Sequence, residues 1–169
     1  MPNAAANSAS YTPRPSVATK PRSGEAPIAI AACCFIIVAA LVGGVGIPDG
    51  LVLRHVVQTL PLWVAIILGL VRYRATGWVA LPFFIFWLAL MSLIWLYLLG
   101  IATFVSGHFS PLEIAMTIIV GIASVVGLAV RVRFKSGMPP LAATILFITF
   151  AVIQLACFRA SLLPSIANR

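Results

Sequence analysis

Between residues 27 and 163 the chain is a succession of apolar stretches, each about 20 residues or longer, separated by short polar breaks and carrying almost no charge inside. A helix rises about 1.5 Å per residue, so about 20 apolar residues reach across a hydrocarbon core of roughly 30 Å. Inside lipid every backbone N–H and C=O must find its partner within the chain, which makes helices the element for such continuous runs. The composition agrees. The chain is 62% hydrophobic and 8% charged, whereas a soluble domain is about 45–50% apolar and about 25% charged. In water such a chain would expose large apolar patches and aggregate.

The predicted fold is an all-α polytopic transmembrane bundle of five helices, at about 27–47, 51–71, 78–105, 110–130 and 140–159. Residues 1–26 are rich in Ala, Ser, Pro, Asn and Thr. They bury too little apolar area to offset ordering entropy and read as a disordered basic tail. Residues 27–169 form the one transmembrane domain. Pro27 suits a first helical turn, and Pro48-Asp49-Gly50 is a turn signal. Pro61 removes one hydrogen bond from span two. Span three, at about 28 residues, exceeds what a perpendicular helix needs. Ser110-Pro111-Leu112-Glu113 is an S-x-x-E capping box with proline at the first helical position. Gly137-Met138-Pro139-Pro140 precedes span five, and Pro164 marks a stop.

Five crossings place alternate breaks on opposite sides. One side holds Arg14, Lys20, Arg22, Arg72, Arg74, Arg131, Arg133 and Lys135, eight basic residues; the other holds Arg54, Arg159 and Arg169. Cytoplasmic segments carry the Lys and Arg excess, so the N-terminus is expected inside and the C-terminus outside. The net charge of +8 then suits anionic lipid headgroups, with Arg72, Arg74, Arg131, Arg133 and Lys135 as the contacts. No nucleic-acid-binding motif accompanies it.

This topology gathers the unusual polar residues on the outer side: Asp49, Arg54, His55, Gln58, His108, Glu113 and Arg159. Imidazole with carboxylate suits a transition metal, which makes His55 and His108 weak candidate ligands. Arg54 and Arg159 suit an anionic headgroup or substrate. Ordinary structural duties compete with these. Glu113 belongs to the capping box, Asp49 suits a helix N-cap, and Arg159 suits a helix C-terminus from which it can snorkel.

Small residues four apart let helix backbones approach closely in lipid. Span one offers Ala39 with Gly43 and Ala40 with Gly44; span four offers Thr117 with Gly121 and Ala123 with Gly127. Both spans are therefore expected in the interior or at a subunit interface. Phe84, Trp87, Met91 and Trp95 form a helical stripe that reads as packing or lipid contact. Cys33, Cys34 and Cys157 read as small buried apolar residues.

No stretch supplies a mid-membrane acid or base of the kind proton relays use, a P-loop, an H-E-x-x-H or a G-x-S-x-G. The expected role is a structural, accessory or assembly subunit without catalysis or cofactor, in a bacterial cytoplasmic (inner) membrane, with the bilayer, anionic lipids and other subunits or itself as partners. A small transporter or channel entered at the outer polar cluster is the second expectation. A membrane metal-binding protein or enzyme using His55 and His108 is the third.

Overall fold

The computed structural model describes residues 25–101, 109–134 and 136–167. His108, Lys135 and residues 1–24 of the expected tail lie outside the described residues. Every regular element among the described residues is helical: α1 (Glu25–Val38), continued by a π-helical stretch (Ala39–Gly46), then α2 (Val52–Leu70), α3 (Thr76–Leu98), α4 (Pro111–Arg133), α5 (Pro140–Ser161) and the single turn α6 (Pro164–Ala167). Five of these are long and apolar enough to cross a membrane, Glu25–Gly46 counting as one.

Helix ends follow local chemistry, and three depart from expectation. α1 is already helical at Glu25, the first described residue, two residues before the expected start, and an acid there suits the positive end of a helix. Pro27, in that first turn, sacrifices no bond there. Span four runs on to Arg133, its two last-turn arginines complementing the negative end. The third is the end of α3, at Leu98 rather than near residue 105. Gly100 takes φ 71, donates to Tyr97 O at 2.9 Å, and Ile101 donates to Leu96 O at 2.9 Å. These two bonds around a left-handed residue are a Schellman motif, which closes a helix and satisfies its last carbonyls.

The same motif closes α2, with an arginine where glycine is usual. Arg72 has φ 53, its N–H meets Gly69 O at 3.0 Å, and Tyr73 N–H meets Leu68 O at 2.9 Å. A Cβ in this region costs about 1–2 kcal/mol, part of which glycine returns as unfolded-state entropy. Arg72→Gly is expected to raise stability by up to about 1 kcal/mol, measured by SDS titration in mixed micelles. An unchanged or lower midpoint would show that the arginine side chain contributes more than its backbone costs.

Helix α3 is the hub, touching each of α1, α2, α4 and α5. The cause is its bulk: Phe83, Phe84 and Trp87 are fully buried, and the Phe83 ring meets Phe150 of α5 edge-on at 5.9 Å. Gly127 of α4 lies directly against the Phe84 ring, where any Cβ would collide with it. Helices α1 and α4 also touch, with Gly44 facing the flexible Met116 thioether. Helix α5 is peripheral. Only 11% of its most apolar window is buried, against 44% for each of the first two spans, and it packs on α2 and α3 alone among the spanning helices.

A cavity beneath the Asp49 turn

Glycines 43, 44 and 46 are weak helix formers, and the last eight residues of the first span open into a π-helix. Such widened turns recur at functional sites. The stretch delivers Leu41, Val45 and Asp49 to one wall of a cavity of about 510 Å³, near the middle of the size range of small-molecule pockets. The first turns of α2 contribute Arg54, His55 and Gln58. The start of α4 contributes Glu113, Met116 and Thr117, α3 contributes Trp87, Met91 and Ile94, and Phe158 comes from α5. Five of the seven outer-side candidates therefore line one space: Asp49, Arg54, His55, Gln58 and Glu113.

Each has a distinct condition. His55 is buried, with Nδ1 3.0 Å from Leu51 O. A carbonyl can only accept, so Nδ1 carries the hydrogen and Nε2 is the acceptor of the neutral ring. Gly46 makes room for this ring, since a Cβ there would stand 3.4 Å from His55 Nδ1. The charges that bear on the imidazole are Arg54, Asp49 and Glu113. Glu113 is partly engaged: Ser110 N–H donates to its Oε2 at 2.6 Å while Glu113 N–H donates to Ser110 Oγ at 3.2 Å, both halves of the capping box. Gln58 Nε2 donates to Ser161 Oγ at 3.0 Å. Arg54 is different, because its Nε–H is buried without a partner among the described residues.

Arg159 does not join this group. It is exposed on α5, while its neighbour Phe158 turns inward against Phe86 at 5.2 Å. Successive helical residues point about 100° apart, so both cannot face the cavity. Among the described residues no three of His, Cys, Asp and Glu come together as metal ligands; His108, the other imidazole, lies outside them.

At the opposite end Arg131 departs from the expected headgroup contact. It is 8% exposed, its guanidinium stands 4.0 Å over the Trp78 ring, and it donates to Phe134 O at 3.0 Å. Gly77 leaves the space through which the side chain passes, and Trp78 Nε1 donates to Ser136 Oγ at 2.9 Å. Cation–π attraction and a close-packed stem hold it inward. Arg72, Arg74 and Arg133 are exposed. Of the small residues, Ala40, Gly127, Ala123 and Thr117 are buried, whereas Ala39 and Gly43 face outward and Gly43 and Gly121 meet open space.

Two further participants stand outside the seven outer-side candidates. Trp87 lines the cavity and is 1% exposed, yet its indole N–H has no partner among the described residues. Gln154 is also 1% exposed and donates to Gln58 O at 3.2 Å across the α2–α5 contact. A lone glutamine in an apolar run is the available clue to the second; nothing distinguishes Trp87 from Trp95. The cavity is thus a ligand-sized space with largely apolar walls and a mixed-charge lining. No protein-family model matches the chain, and comparison with curated proteins and with solved structures found no match.

Proposed function

We propose that this chain is a membrane-embedded binding protein, acting as a small carrier or transporter rather than a catalyst, and that its ligand enters the cavity beneath Asp49. The observation that carries this reading is the cavity of about 510 Å³ lined by Asp49, Arg54, His55 and Glu113, with Arg54 Nε and Trp87 Nε1, of two residues that line it, buried without a partner among the described residues. A buried donor without a partner costs about 1–3 kcal/mol, and a ligand oxygen toward which either side chain turns would remove that cost. The structural or accessory role draws on the same helices but accounts for neither donor.

The bias of eight basic residues against three supports a cytoplasmic N-terminus, which makes the cavity open outward. The compact plan suits a bacterial cytoplasmic membrane. The exposed Arg72, Arg74 and Arg133 suit anionic headgroups on the inner face.

The test is gentle extraction in an uncharged maltoside followed by mass spectrometry of retained small molecules. The wild type is expected to keep a polar-headed molecule at one per chain. A hydrogen bond to a charged group contributes about 1.5–3 kcal/mol, so Arg54→Ala should lower occupancy about tenfold or more. Absence of any retained molecule, or equal occupancy in a folded Arg54→Ala variant, would overturn the reading.

A further inference from the structure

Beside this cavity lies a second space of about 470 Å³, a groove between α3 and α4 on the outside of the bundle. Met91 and Thr117 line both spaces, so these two side chains form part of the partition between them. One of the two is a methionine, the most adaptable of apolar side chains. The groove itself is apolar. Its walls include the exposed Ile118, Ile122, Val125 and Val126, and the Ser92 hydroxyl is engaged by Leu88 O at 2.8 Å. Gly121 forms part of its floor, and nothing stands within 4 Å of the place a Cβ would occupy.

The mouth of the cavity carries both charge signs, Arg54 on one hand and Asp49 and Glu113 on the other. A simple anion would meet two carboxylates, and a simple cation would meet the guanidinium. A headgroup with both signs complements all three. Resting on the function proposed above, we infer that the ligand is a zwitterionic amphiphile: a phosphate-and-ammonium headgroup in the cavity, and a hydrocarbon chain that passes Met91 into the groove between α3 and α4. The phosphate accepts from the Arg54 guanidinium. The ammonium lies toward Asp49 and Glu113. The chain leaves through the groove into the bilayer, which spares it a fully enclosed tunnel.

Three probes separate the parts, each measured by equilibrium dialysis against the protein in maltoside: a single-chain C12 lysophosphatidylethanolamine, the matching lysophosphatidic acid without the ammonium, and chainless glycerophosphoethanolamine. The zwitterionic amphiphile is expected to bind one per chain, at least tenfold tighter than either other probe. Gly121→Leu fills the groove and should weaken it at least tenfold while leaving glycerophosphoethanolamine unchanged. Ser92→Leu on the facing wall repeats that test if Gly121→Leu does not fold. Glu113→Gln retains a capping residue and should abolish the preference over the phosphate-only probe. Equal binding of chainless and chained probes, with Gly121→Leu and Ser92→Leu silent, would overturn the amphiphile and leave a small polar ligand. Equal binding of both chained probes would overturn the zwitterion. Binding of none of the three, together with no molecule retained on extraction, would sink the cavity as a binding site altogether.

Discussion

Gly69→Ala destabilises the bundle by about 1–3 kcal/mol, and Gly69→Val by more, because overpacking a close contact forces backbone shifts. Gly69 sits near the end of α2 where it crosses the start of α1. A Cβ there would stand 2.5 Å from Ala31 Cβ and 2.5 Å from Pro27 O, with Ala31 Cα at 3.3 Å. Ordinary contact between carbon atoms lies at about 3.5–4.0 Å. The side-chain clash at Gly44 is relieved by turning Met116, a flexible thioether. At Gly69 an obstacle is the carbonyl of Pro27, which moves only if α1 moves, and α1 carries the fully buried Ile30, Cys34 and Ile37.

The contrast residue is Gly121, also helical but facing open space. Gly121→Ala should be neutral or slightly stabilising, as alanine is the better helix former by about 1 kcal/mol in water. SDS titration in mixed micelles measures both. Equal midpoints for the two alanine variants would mean that α1 and α2 separate at little cost, and that the glycine is not there for close approach.

How far this was legible in the sequence depends on the range of the interaction. The start of α4 is written in four consecutive residues, since a capping box is a local exchange of bonds between Ser110 and Glu113. The end of α3 is equally local, written at Gly100, but hydropathy alone runs past a left-handed glycine because the residues after it remain apolar. Arg72 is harder, for nothing in the residue type announces a positive φ. The pattern Ala65-x-x-x-Gly69 in span two matches those of spans one and four, and its glycine lies in close contact with Pro27 and Ala31 of α1.

For the site, sidedness is legible and distance is not. Topology puts Asp49, Arg54, His55, Gln58, Glu113 and Arg159 at one end, but only helix phase decides that Phe158 enters the cavity while Arg159 leaves it. Charge bias likewise sorts arginines by side without revealing that Arg131 folds inward over Trp78. Which helices are neighbours, and hence that Met91 and Thr117 divide two spaces, is a long-range property absent from any single span.

Replacing Gln58 and Gln154 together by leucine is expected to loosen α5 and open the cavity wall that it supplies. The contact is a short chain of bonds. Gln154 Nε2 donates to Gln58 O at 3.2 Å, Gln58 Nε2 donates to Ser161 Oγ at 3.0 Å, and Ser161 Oγ donates to Phe158 O at 2.6 Å. It lies beside Pro61, a residue that removes one rung of the α2 ladder. Interhelical bonds in membranes average about 0.6 kcal/mol and reach about 1–2 kcal/mol, so in a densely packed helix their loss would be minor. In α5 the balance differs, because little of its apolar surface is buried within the bundle and lipid solvates the remainder as well as protein does. Polar bonds and the Phe83–Phe150 and Phe86–Phe158 ring contacts are what distinguish its docked position from a free helix. Gln154 bonds the backbone carbonyl of residue 58, which leucine keeps, so the pairwise term is read by a double-mutant cycle on Gln58→Leu and Ser161→Ala, which should return a coupling of about 0.5–1.5 kcal/mol. The variant with both glutamines replaced should also lose ligand retention even though Arg54 and Trp87 are untouched, since Phe158 and Gln58 both line the cavity. Additive effects on stability, with retention unchanged, would show that aromatic packing alone seats α5 and that the glutamines are incidental to the cavity.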